Sequence, residues 1–330
     1  MNLTKPILVT GGAGYIGSHI CKLLAKSGFQ PIVYDNLSTG HKSFVKWGPL
    51  IVGDLLDTEK LIKTIKDNHP LAVIHLAASA YVGESVNYPL KYYKNNVTGT
   101  ISLLEAMKSC VINKIVFSSS CAVYGIPNTS NISEDCIPSP INPYGQSKLM
   151  AEKILLDLSK IKDINFVSLR YFNASGADKD NEIGELHSPE THLIPIAILS
   201  GMGGPIVKIF GTDFSTDDGT PVRDYIHVED LAKAHILAVK YLIEGGSSEF
   251  INLGNGRGYS VNEILSAIKS LGVNVQSEYA PRRIGDPPFL VADAFKAKRI
   301  LGWEPEYKDI CEILNSAIRW HKHSLLISSG

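Results

Sequence analysis

Tyr144 and Lys148 are the residues of this sequence whose types and spacing point most directly to chemistry. They stand four positions apart in the stretch 144–148, so on a helix both side chains project from the same face. A free tyrosine keeps its proton until about pH 10, and a nearby ammonium group lowers that pKa. Tyr144 is therefore a candidate proton acceptor for an alcohol that loses hydride. The alternative is an ordinary helix start after Pro143, with Lys148 on the surface.

A glycine-rich turn follows the first apolar run of the chain. Residues 7–10 predict a short strand, and a helical pattern begins close to Gly17. Gly11, Gly14 and Gly17 permit a tight turn, a close approach of the backbone to a pyrophosphate, and close packing of the helix on the strand. The N-terminus of the helix then faces the phosphates. Three glycines alone are a weak signal, but the strand before them and the helix after them predict a dinucleotide site.

An acidic residue ends the second predicted strand. Residues 31–34 are followed by Asp35, 18 positions beyond Gly17. A carboxylate there can accept hydrogen bonds from an adenosine ribose, and it repels a 2′-phosphate. We therefore predict NAD rather than NADP as the cofactor, and its nicotinamide adds a second positive charge beside Tyr144. The alternative is a solvated acid in a turn.

Strands and helices alternate along the first half of the chain. Further strand patterns occur at residues 50–53, 72–76, 114–117 and 164–169. This alternation predicts an α/β fold with a Rossmann-type doubly wound parallel sheet, which binds ligands at the carboxyl ends of its strands. Asp54 is then expected near the adenine. The residues expected to line the cofactor after the fourth strand are Leu76, Ala77, Ala78 and Ala80.

Two groups of polar residues have more than one interpretation. The strand at 114–117 is followed by the serines 118–120, whose hydroxyls could bridge a substrate oxygen and Tyr144 or simply cap the backbone. Residues 89–110 predict one long helix with an apolar stripe. Asn95 lies within that helix, where it could reach the cofactor or face water.

The composition is that of an ordinary globular chain. It has 330 residues, of which 44% are hydrophobic and 20% charged, and a net charge of -1. This charge gives no reason to expect nucleic acid or an anionic membrane as a partner. No apolar run approaches membrane-spanning length, and the first six residues lack the apolar core of a signal peptide. We therefore expect a cytoplasmic protein, and its five scattered cysteines are expected to be reduced.

The regular alternation ends after residue 177, where glycine, proline and acidic residues become frequent. We predict a dinucleotide-binding domain at residues 1–177 and a smaller C-terminal substrate-binding lobe at 178–330, with some segments returning to the first domain. The arginines at 223, 282 and 283 could grip a second diphosphate or lie on the surface. His187 and His192 have no neighbouring cysteines or other ligand set, so no metal site is predicted.

The glycine turn, Asp35, the serines 118–120 and the pair Tyr144 and Lys148 together resemble the extended short-chain dehydrogenase/reductase family. Within that family, the chain is similar to members that invert nucleotide sugars at C4. This narrower match rests on segments 82–86, 92–97, 142–148, 169–173, 222–228 and 281–287. The resemblance implies interconversion of UDP-glucose and UDP-galactose, by transient oxidation at sugar C4, rotation of the 4-keto intermediate and re-reduction.

The resemblance also implies roles for individual residues. Tyr144 would take the proton of the sugar 4-hydroxyl, Lys148 would hold the nicotinamide ribose, and Ser120 would bridge the sugar oxygen and the phenol. The other implied cofactor residues are Tyr15, Ile16, Asp35, Asn36, Asp54, Leu55, Asn95 and Phe172. The implied substrate residues are Asn173, Arg223, Arg283 and Asp286, with Ile209 and Phe210 against the uracil. A homodimer built from helices near 89–110 and 144–160 is expected as well.

Three positions depart from the residues that some family members carry. Ala80 stands where some have lysine, and His192, included among the substrate-binding residues, stands where some have asparagine. Leu290 stands where a tyrosine in some members excludes N-acetylated sugars. Activity on N-acetylhexosamines is therefore left open.

Other functions compete with this prediction. Epimerases of UDP-N-acetylglucosamine and UDP-N-acetylgalactosamine, or of UDP-xylose and UDP-arabinose, would share almost every motif. A 4,6-dehydratase would need an acid/base pair where this chain has Cys121 and Ala122. A regulatory protein that senses NAD can use the same fold, but it would have little use for both Tyr144 and Lys148.

Overall fold

Strands and helices alternate along residues 5–283 and 285–328, which are the residues that this computed structural model describes. The strands are β1 (Pro6–Thr10), β2 (Gln30–Asp35), β3 (Leu50–Val52), β4 (Ala72–His75), β5 (Lys114–Ser118), β6 (Asn131–Ile132), β7 (Asn165–Tyr171), β8 (Asn173–Ser175), β9 (Val207–Phe210), β10 (Val222–His227), β11 (Glu249–Leu253), β12 (Gly258–Ser260), β13 (Ser277–Ala280) and β14 (Phe289–Ala292). The helices are α1 (Tyr15–Lys26), α2 (Thr58–Asn68), α3 (Val82–Asn87), α4 (Pro89–Tyr92), α5 (Gly99–Ser109), α6 (Pro143–Lys160), α7 (Leu193–Ser200), α8 (Val228–Ile243), α9 (Val261–Ser270), α10 (Phe295–Leu301) and α11 (Ile310–Ser328). Two parts of the sequence used above lie outside the described residues. They are residues 1–4, from the stretch that lacks a signal-peptide pattern, and Ile284, from the segment 281–287.

Seven parallel strands form the large sheet, in the order β11-β7-β5-β4-β1-β2-β3. Strand β1 pairs with both β2 and β4, so Ile7 lies opposite Pro31 and Ala72. The direction of winding reverses between β1 and β4, and α/β sheets bind ligands at the carboxyl edge of such a switch point. The predicted Rossmann-type sheet is confirmed, and its first six predicted strands differ from the observed ones by at most two residues at either end.

Helices cover both faces of this sheet, which explains why its strands are continuous apolar runs. Ile7 and Val9 of β1 pack in a buried cluster with residues of α1 and α8. Leu8, between them, packs on the other face with residues of α2, α5 and α6. The helices α1 and α6, which begin at the glycine turn and at the Tyr144 stretch, are therefore held on opposite faces of one sheet.

Smaller sheets lie mainly beyond residue 177. Strands β12, β10, β14 and β6 pair in that order, β8 also pairs with β10, and β13 pairs with β9. Helices α7, α9 and α11 contribute residues to one buried cluster with β9, β10 and β12. Strand β11 belongs to the large sheet instead, so the chain returns to it after residue 177. The division of the chain at residues 177 and 178 stays a prediction.

The long helix predicted at 89–110 is interrupted in the structure. A π-helical segment, Tyr93–Thr98, separates α4 from α5. Because a π-helix has an extra residue in its turn, it shifts the direction of the side chains that follow, and such turns are frequent at functional sites. None of the helices in the described residues combines the length and the apolar character that a bilayer-spanning segment requires.

We expect opposite effects from two glycine substitutions in helices. A Cβ at Gly17 in α1 would lie 2.2 Å from the carbonyl oxygen of Gly11, whereas a Cβ at Gly83 in α3 would meet no heavy atom within 4 Å. Gly17→Ala should lower the free energy of unfolding by about 1–3 kcal/mol because the turn must move. Gly83→Ala should raise it by up to about 1 kcal/mol through helix propensity. Urea unfolding measures the free energy of unfolding of both variants, and equal effects would contradict the packing role of Gly17.

Candidate active site

Tyr144 lies in the first turn of α6, whose start is fixed by local residues. The side chain of Asn142 accepts a hydrogen bond from the backbone N–H of Gly145 (2.8 Å), and Pro143 occupies the first helical position. Both residues favour a helix that begins at Pro143. Tyr144 and Lys148 are 8% and 4% exposed, so both side chains are buried on one face of α6. This burial excludes the interpretation of Lys148 as a surface lysine.

The ammonium group of Lys148 is held at the carboxyl end of β5. Its Nζ donates a hydrogen bond to the backbone carbonyl of Ser118 (2.7 Å) and lies 5.0 Å from the centre of the Phe117 ring. Burial lowers the pKa of Lys148 to about 8, and the carboxylate of Glu152, one helical turn further on, opposes this by raising it. Lys148 therefore links the helix that carries Tyr144 to the strand that leads to Ser120.

The phenol of Tyr144 is less acidic than a free tyrosine in this environment. Burial raises the pKa of Tyr144 to about 12, hydrogen bonding with Ser120 lowers it, and Cys121 raises it. The four-residue spacing predicted that Lys148 makes this phenol acidic, but the ammonium of Lys148 lies 6.0 Å from the centre of the Tyr144 ring and bonds to Ser118 instead. The residues of the chain alone therefore do not produce a phenolate at neutral pH.

Ser120 begins the short 3-10 turn that follows β5. Its hydroxyl accepts a hydrogen bond from the backbone N–H of Ala122 (3.2 Å) and also interacts with the phenol of Tyr144. The capping interpretation is therefore correct for this residue, and its contact with a substrate oxygen stays a prediction. Ser118 serves a different purpose, because its hydroxyl bonds to a ring nitrogen of His235 (2.8 Å).

The glycines of the turn after β1 have three distinct surroundings. Gly11 has a φ of +74°, and a Cβ on it would lie 2.6 Å from the backbone nitrogen of Ala77. A Cβ on Gly17 would collide with Gly11, as described above. A Cβ on Gly14 would meet only the Gly11 carbonyl oxygen, at 3.4 Å, so neighbouring atoms leave it room. Gly14 is also the N-cap of α1, and no side chain caps that helix end. An uncapped helix N-terminus beside a bare backbone fits the pyrophosphate of a dinucleotide.

Asp35 is buried at the end of β2 and fixed against the glycine turn. Its carboxylate accepts hydrogen bonds from the backbone N–H groups of Ala13 (3.0 Å) and Leu37 (2.8 Å). Burial raises the pKa of Asp35, and these two hydrogen bonds lower it. This position excludes a solvated turn acid. Asp54 accepts a hydrogen bond from the side chain of Asn36 (2.9 Å).

The other predicted cofactor residues lie mostly at the same edge of the sheet. Each group follows the end of β1, β2, β3, β4 or β7, while Asn95 lies on the π-helical segment. The groups are Gly11 to Gly17, Asp35 and Asn36, Asp54 and Leu55, Leu76 to Ala80, and Phe172. Ala80, at the position where some family members carry lysine, is exposed and offers only a methyl group.

The predicted substrate residues form two contacts in the second lobe. Arg223 of β10 forms an ion pair with Asp286 (2.8 Å), and the guanidinium of Arg283 stacks 3.8 Å from the centre of the Phe210 ring. Burial raises the pKa of the Cys121 thiol to about 12, and the charge of Arg223 opposes this rise. Arg223 therefore lies close enough to affect the residue next to Ser120.

Three other substrate positions have different surroundings. Asn173 begins β8, where it is paired with Tyr225 of β10, and Ile209 is buried in β9. Leu290 of β14 lies opposite Arg223 and packs against the cluster that contains Cys121 and Phe172. Leu290 is thus placed between the arginine and the Ser120 segment.

His192 contacts a group that the sequence analysis missed. Its Nδ1 lies 2.6 Å from Glu185, and Glu190 lies close to both His187 and His192. Burial alone would lower the pKa of both histidines, but the two carboxylates raise it to about 9 for His187 and about 10 for His192. The expectation that these histidines have no possible ligand set nearby was wrong. The signal was available in the sequence, because a glutamate stands two positions before each histidine.

Asn96 is a second residue that the sequence analysis missed. Its side chain donates hydrogen bonds to the carbonyl of Ser79 (3.0 Å) and the hydroxyl of Ser147 (2.9 Å), and it accepts one from the N–H of Ser79 (2.8 Å). The side chain of Asn95 donates to Asn96 (3.0 Å), and its contact with the cofactor stays a prediction. Asn96 thus ties the π-helical segment to the segment after β4 and to the helix of Tyr144. Two adjacent asparagines within an apolar stripe were its only signal.

Comparisons with known proteins agree with this geometry. A model of the NAD dependent epimerase/dehydratase family matches residues 7–254. A UDP-glucose 4-epimerase of Rhizobium meliloti (strain 1021) is 51% identical over 317 residues, which are 96% of each chain. The crystal structure of UDP-glucose 4-epimerase from Brucella ovis in complex with NAD has a TM-score of 0.94 at 51% identity and covers 96% of this chain and 98% of its own. The UDP-Glc/GlcNAc 4-epimerase of Campylobacter jejuni has a TM-score of 0.84 at 40% identity, with coverage of 97% and 99%.

The buried charge of Lys148 predicts a pH-dependent effect of removing it. Between pH 8 and 10.5 the folded protein has released a proton that the unfolded chain still binds, so stability of the parent rises with pH in this window. Lys148→Met lacks this dependence. Its free energy of unfolding relative to the parent should therefore fall by up to about 3 kcal/mol between pH 7 and pH 10.5. Denaturant unfolding at both values measures the change, and a pH-independent difference would show that the Lys148 pKa is not lowered.

Proposed function

The chain belongs to the NAD dependent epimerase/dehydratase family, and we propose that it interconverts UDP-glucose and UDP-galactose with NAD as its cofactor. The observation that carries this proposal is the burial of Tyr144 and Lys148 side by side against the serine-bearing end of β5. A protein that only senses NAD has no need to bury a lysine charge beside a phenol. The proposed role in galactose metabolism and the cytoplasmic location are extensions of the same proposal.

We assign the proton transfer to Tyr144. The glycine turn, Asp35 and the segment after β4 would hold NAD, which when bound supplies the acceptor and donor for the hydride of sugar C4 and a positive charge near the phenol. Tyr144 accepts the proton of the sugar 4-hydroxyl as C4 is oxidised to the ketone, and it returns the proton after re-reduction on the other face. Ser120, within reach of the phenol, holds the sugar oxygen in line with it.

Lys148 supports Tyr144 and Ser120. Its ammonium is anchored on the Ser118 carbonyl, and we assign to it the nicotinamide ribose of the bound cofactor. A preorganised charge of this kind stabilises developing negative charge without reorganisation during the reaction. Asn96 supports the arrangement, because it bonds to Ser147 in the turn between Tyr144 and Lys148.

The nucleotide part of the substrate is assigned to the second lobe. Arg223 and Arg283 can each form paired hydrogen bonds with a diphosphate, and Phe210 and Ile209 offer an apolar strand to the uracil. Binding energy from the nucleotide leaves the sugar free to turn over between oxidation and re-reduction. Asn173, Asp286 and His192 complete the proposed substrate set.

The proposed function is tested on the purified full chain. It should contain NAD and should interconvert UDP-glucose and UDP-galactose without added cofactor. Tyr144→Phe should keep NAD but lose turnover by roughly 10²-fold or more, because the proton acceptor is gone. Tyr88→Phe, an exposed tyrosine, is the matched control and should retain parental turnover. Absence of turnover on both sugars in the parent would refute the function, and full activity of Tyr144→Phe would refute the assignment.

Activity on N-acetylated sugars is a second candidate, favoured by the leucine at position 290. Leu290 lies opposite Arg223 and beside Cys121, where a larger side chain would narrow the space for the sugar. We expect Leu290→Tyr to reduce turnover of UDP-N-acetylglucosamine at least about 10-fold more than that of UDP-glucose. Leu290→Met, which conserves volume, should leave the ratio of the two rates unchanged. An unaltered ratio in Leu290→Tyr would rule out this position as the determinant.

We also infer a homodimer formed through α4, α5 and α6. Leu90, Ile101 and Met150 expose apolar side chains on these helices, which otherwise cover the large sheet. Burying such side chains against a second copy would remove them from water. Ile101→Glu combined with Met150→Glu should convert a dimer to a monomer in light scattering after gel filtration. Ile243→Glu, on α8 and as exposed as Met150, should remain dimeric; a monomeric parent would contradict the inference.

A further inference from the structure

Four side chains with metal-binding atoms converge between residues 185 and 192. They are Glu185, His187, Glu190 and His192, and one ligand atom of each lies within 4.8 Å of the others. The two histidines face the carboxylates through Nδ1. The group lies outside the residues assigned to proton transfer, although His192 also belongs to the proposed substrate set.

The spacing of these atoms suits a tetrahedral ion. Zinc binds imidazole nitrogen and carboxylate oxygen at about 2.0–2.2 Å, so two ligands of a tetrahedron stand roughly 3.3–3.6 Å apart. The Nδ1 of His187 lies 3.3 Å from Glu185 and 3.6 Å from Glu190. The Nδ1 of His192 lies 3.4 Å from Glu190 and 2.6 Å from Glu185. The distances from His187 to Glu185 and from His192 to Oε1 of Glu190 match a tetrahedron, and the 2.6 Å distance must lengthen. The 3.6 Å distance from His187 is to the other carboxylate oxygen of Glu190, Oε2.

The surroundings of the group require positive charge. The side chains of Glu185 and Glu190 are 5% and 10% exposed, and two carboxylates buried together need compensating positive charge, which the two imidazolium rings supply when no ion is bound. The Nδ1 of His187 is buried but has no hydrogen-bond partner of acceptable geometry, although it faces both carboxylates. The imidazole of His192 is 52% exposed, which leaves a path for an ion to enter.

We propose that Glu185, His187, Glu190 and His192 bind one divalent transition-metal ion, for which Zn²⁺ is the best match. Two nitrogen and two carboxylate ligands suit this ion. When it binds, the protons shared between the imidazoles and the carboxylates leave to solvent, so one divalent charge replaces two protons and the group stays neutral.

The proposed ion would fix one loop against the cofactor edge of the sheet. The ring of His187 meets the rings of Tyr15 and Tyr81 edge to face, with centroids 6.5 and 5.8 Å apart. Tyr15 belongs to the glycine turn, and Tyr81 follows the end of β4 by six residues. On the other side, the indole N–H of Trp320 in α11 donates to the backbone carbonyl of Glu185 (2.8 Å). The proposed ion is therefore structural, and it would hold the loop between the cofactor edge of the sheet and α11.

A second acidic group nearby provides the control. Asp178, Asp180 and Glu182 also converge, but the ammonium of Lys22 already bonds to all three of them. The control variant combines Asp180→Asn with Glu182→Gln, and the ligand variant combines Glu185→Gln with Glu190→Gln. Each removes two carboxylates from the same part of the chain. The two double variants therefore separate loss of ligands from loss of charge.

The test uses tag-free full chain that has been stripped with a chelator and titrated with Zn²⁺ or Co²⁺ alone. Native mass spectrometry should show one ion per chain, and Co²⁺ should give the visible absorption of a tetrahedral site. The thermal unfolding midpoint should rise with Zn²⁺ concentration. Glu185→Gln with Glu190→Gln should weaken binding by about 10²-fold or more and abolish the thermal shift. The control variant should bind as the parent does.

Several outcomes would overturn the proposal. One is a parent that takes up no stoichiometric ion, and another is equal uptake by the parent and the Glu185→Gln, Glu190→Gln variant. Loss of binding in the control as well would show that general charge, and not the ligand set, attracts the ion. If the ligand variant does not fold, His187→Asn replaces it and is judged by the same criteria. Because no sugar nucleotide is present, the result is independent of the proposed epimerase activity.

Discussion

The hydrogen bond from the buried ammonium of Lys148 to the Ser118 carbonyl is the interaction on which the candidate site depends. It joins the helix that presents Tyr144 to strand β5, which leads to Ser120, and the proposed proton transfer requires these two residues to lie together. A lysine buried in this way is costly, since burial disfavours its charged form. The fold must therefore stabilise the charged form of Lys148 through a group close to it.

Compensation comes from a buried ion pair one turn along the same helix. The Glu152 carboxylate accepts two hydrogen bonds from Arg170 of β7, at 2.9 and 2.7 Å, and its charge opposes the fall in the Lys148 pKa. Arg170 also donates to the hydroxyl of Tyr124 (3.0 Å), which donates to Asn252 (2.7 Å). Since Arg170 neutralises most of the Glu152 charge, Lys148 receives only modest support. Burial therefore remains the larger influence on the pKa of Lys148.

The parts of this site that depend on local sequence could be predicted, and those that depend on distant contacts could not. The glycine turn and Asp35 follow from the strand, turn and helix that contain them, so their positions were predictable. Tyr144 and Lys148 share a face because of helical periodicity alone. Asn96 was missed because its partners, Ser79 and Ser147, come from other segments of the chain. The π-helical turn likewise depends on packing rather than on a local signal.

The same distinction explains why the acidity of Tyr144 was misjudged. Sequence spacing places an ammonium near a phenol, but it does not reveal that the ammonium bonds to a carbonyl or that both groups are buried. In the structure, burial raises the pKa of the phenol to about 12 and lowers that of the lysine to about 8, so the protein interior favours the neutral form of both. A further positive charge beside the phenol would lower the pKa of the phenol again. In the proposed reaction, an oxidised nicotinamide would supply such a charge, so the acidity of Tyr144 would depend on the bound cofactor as well as on the residues of the chain.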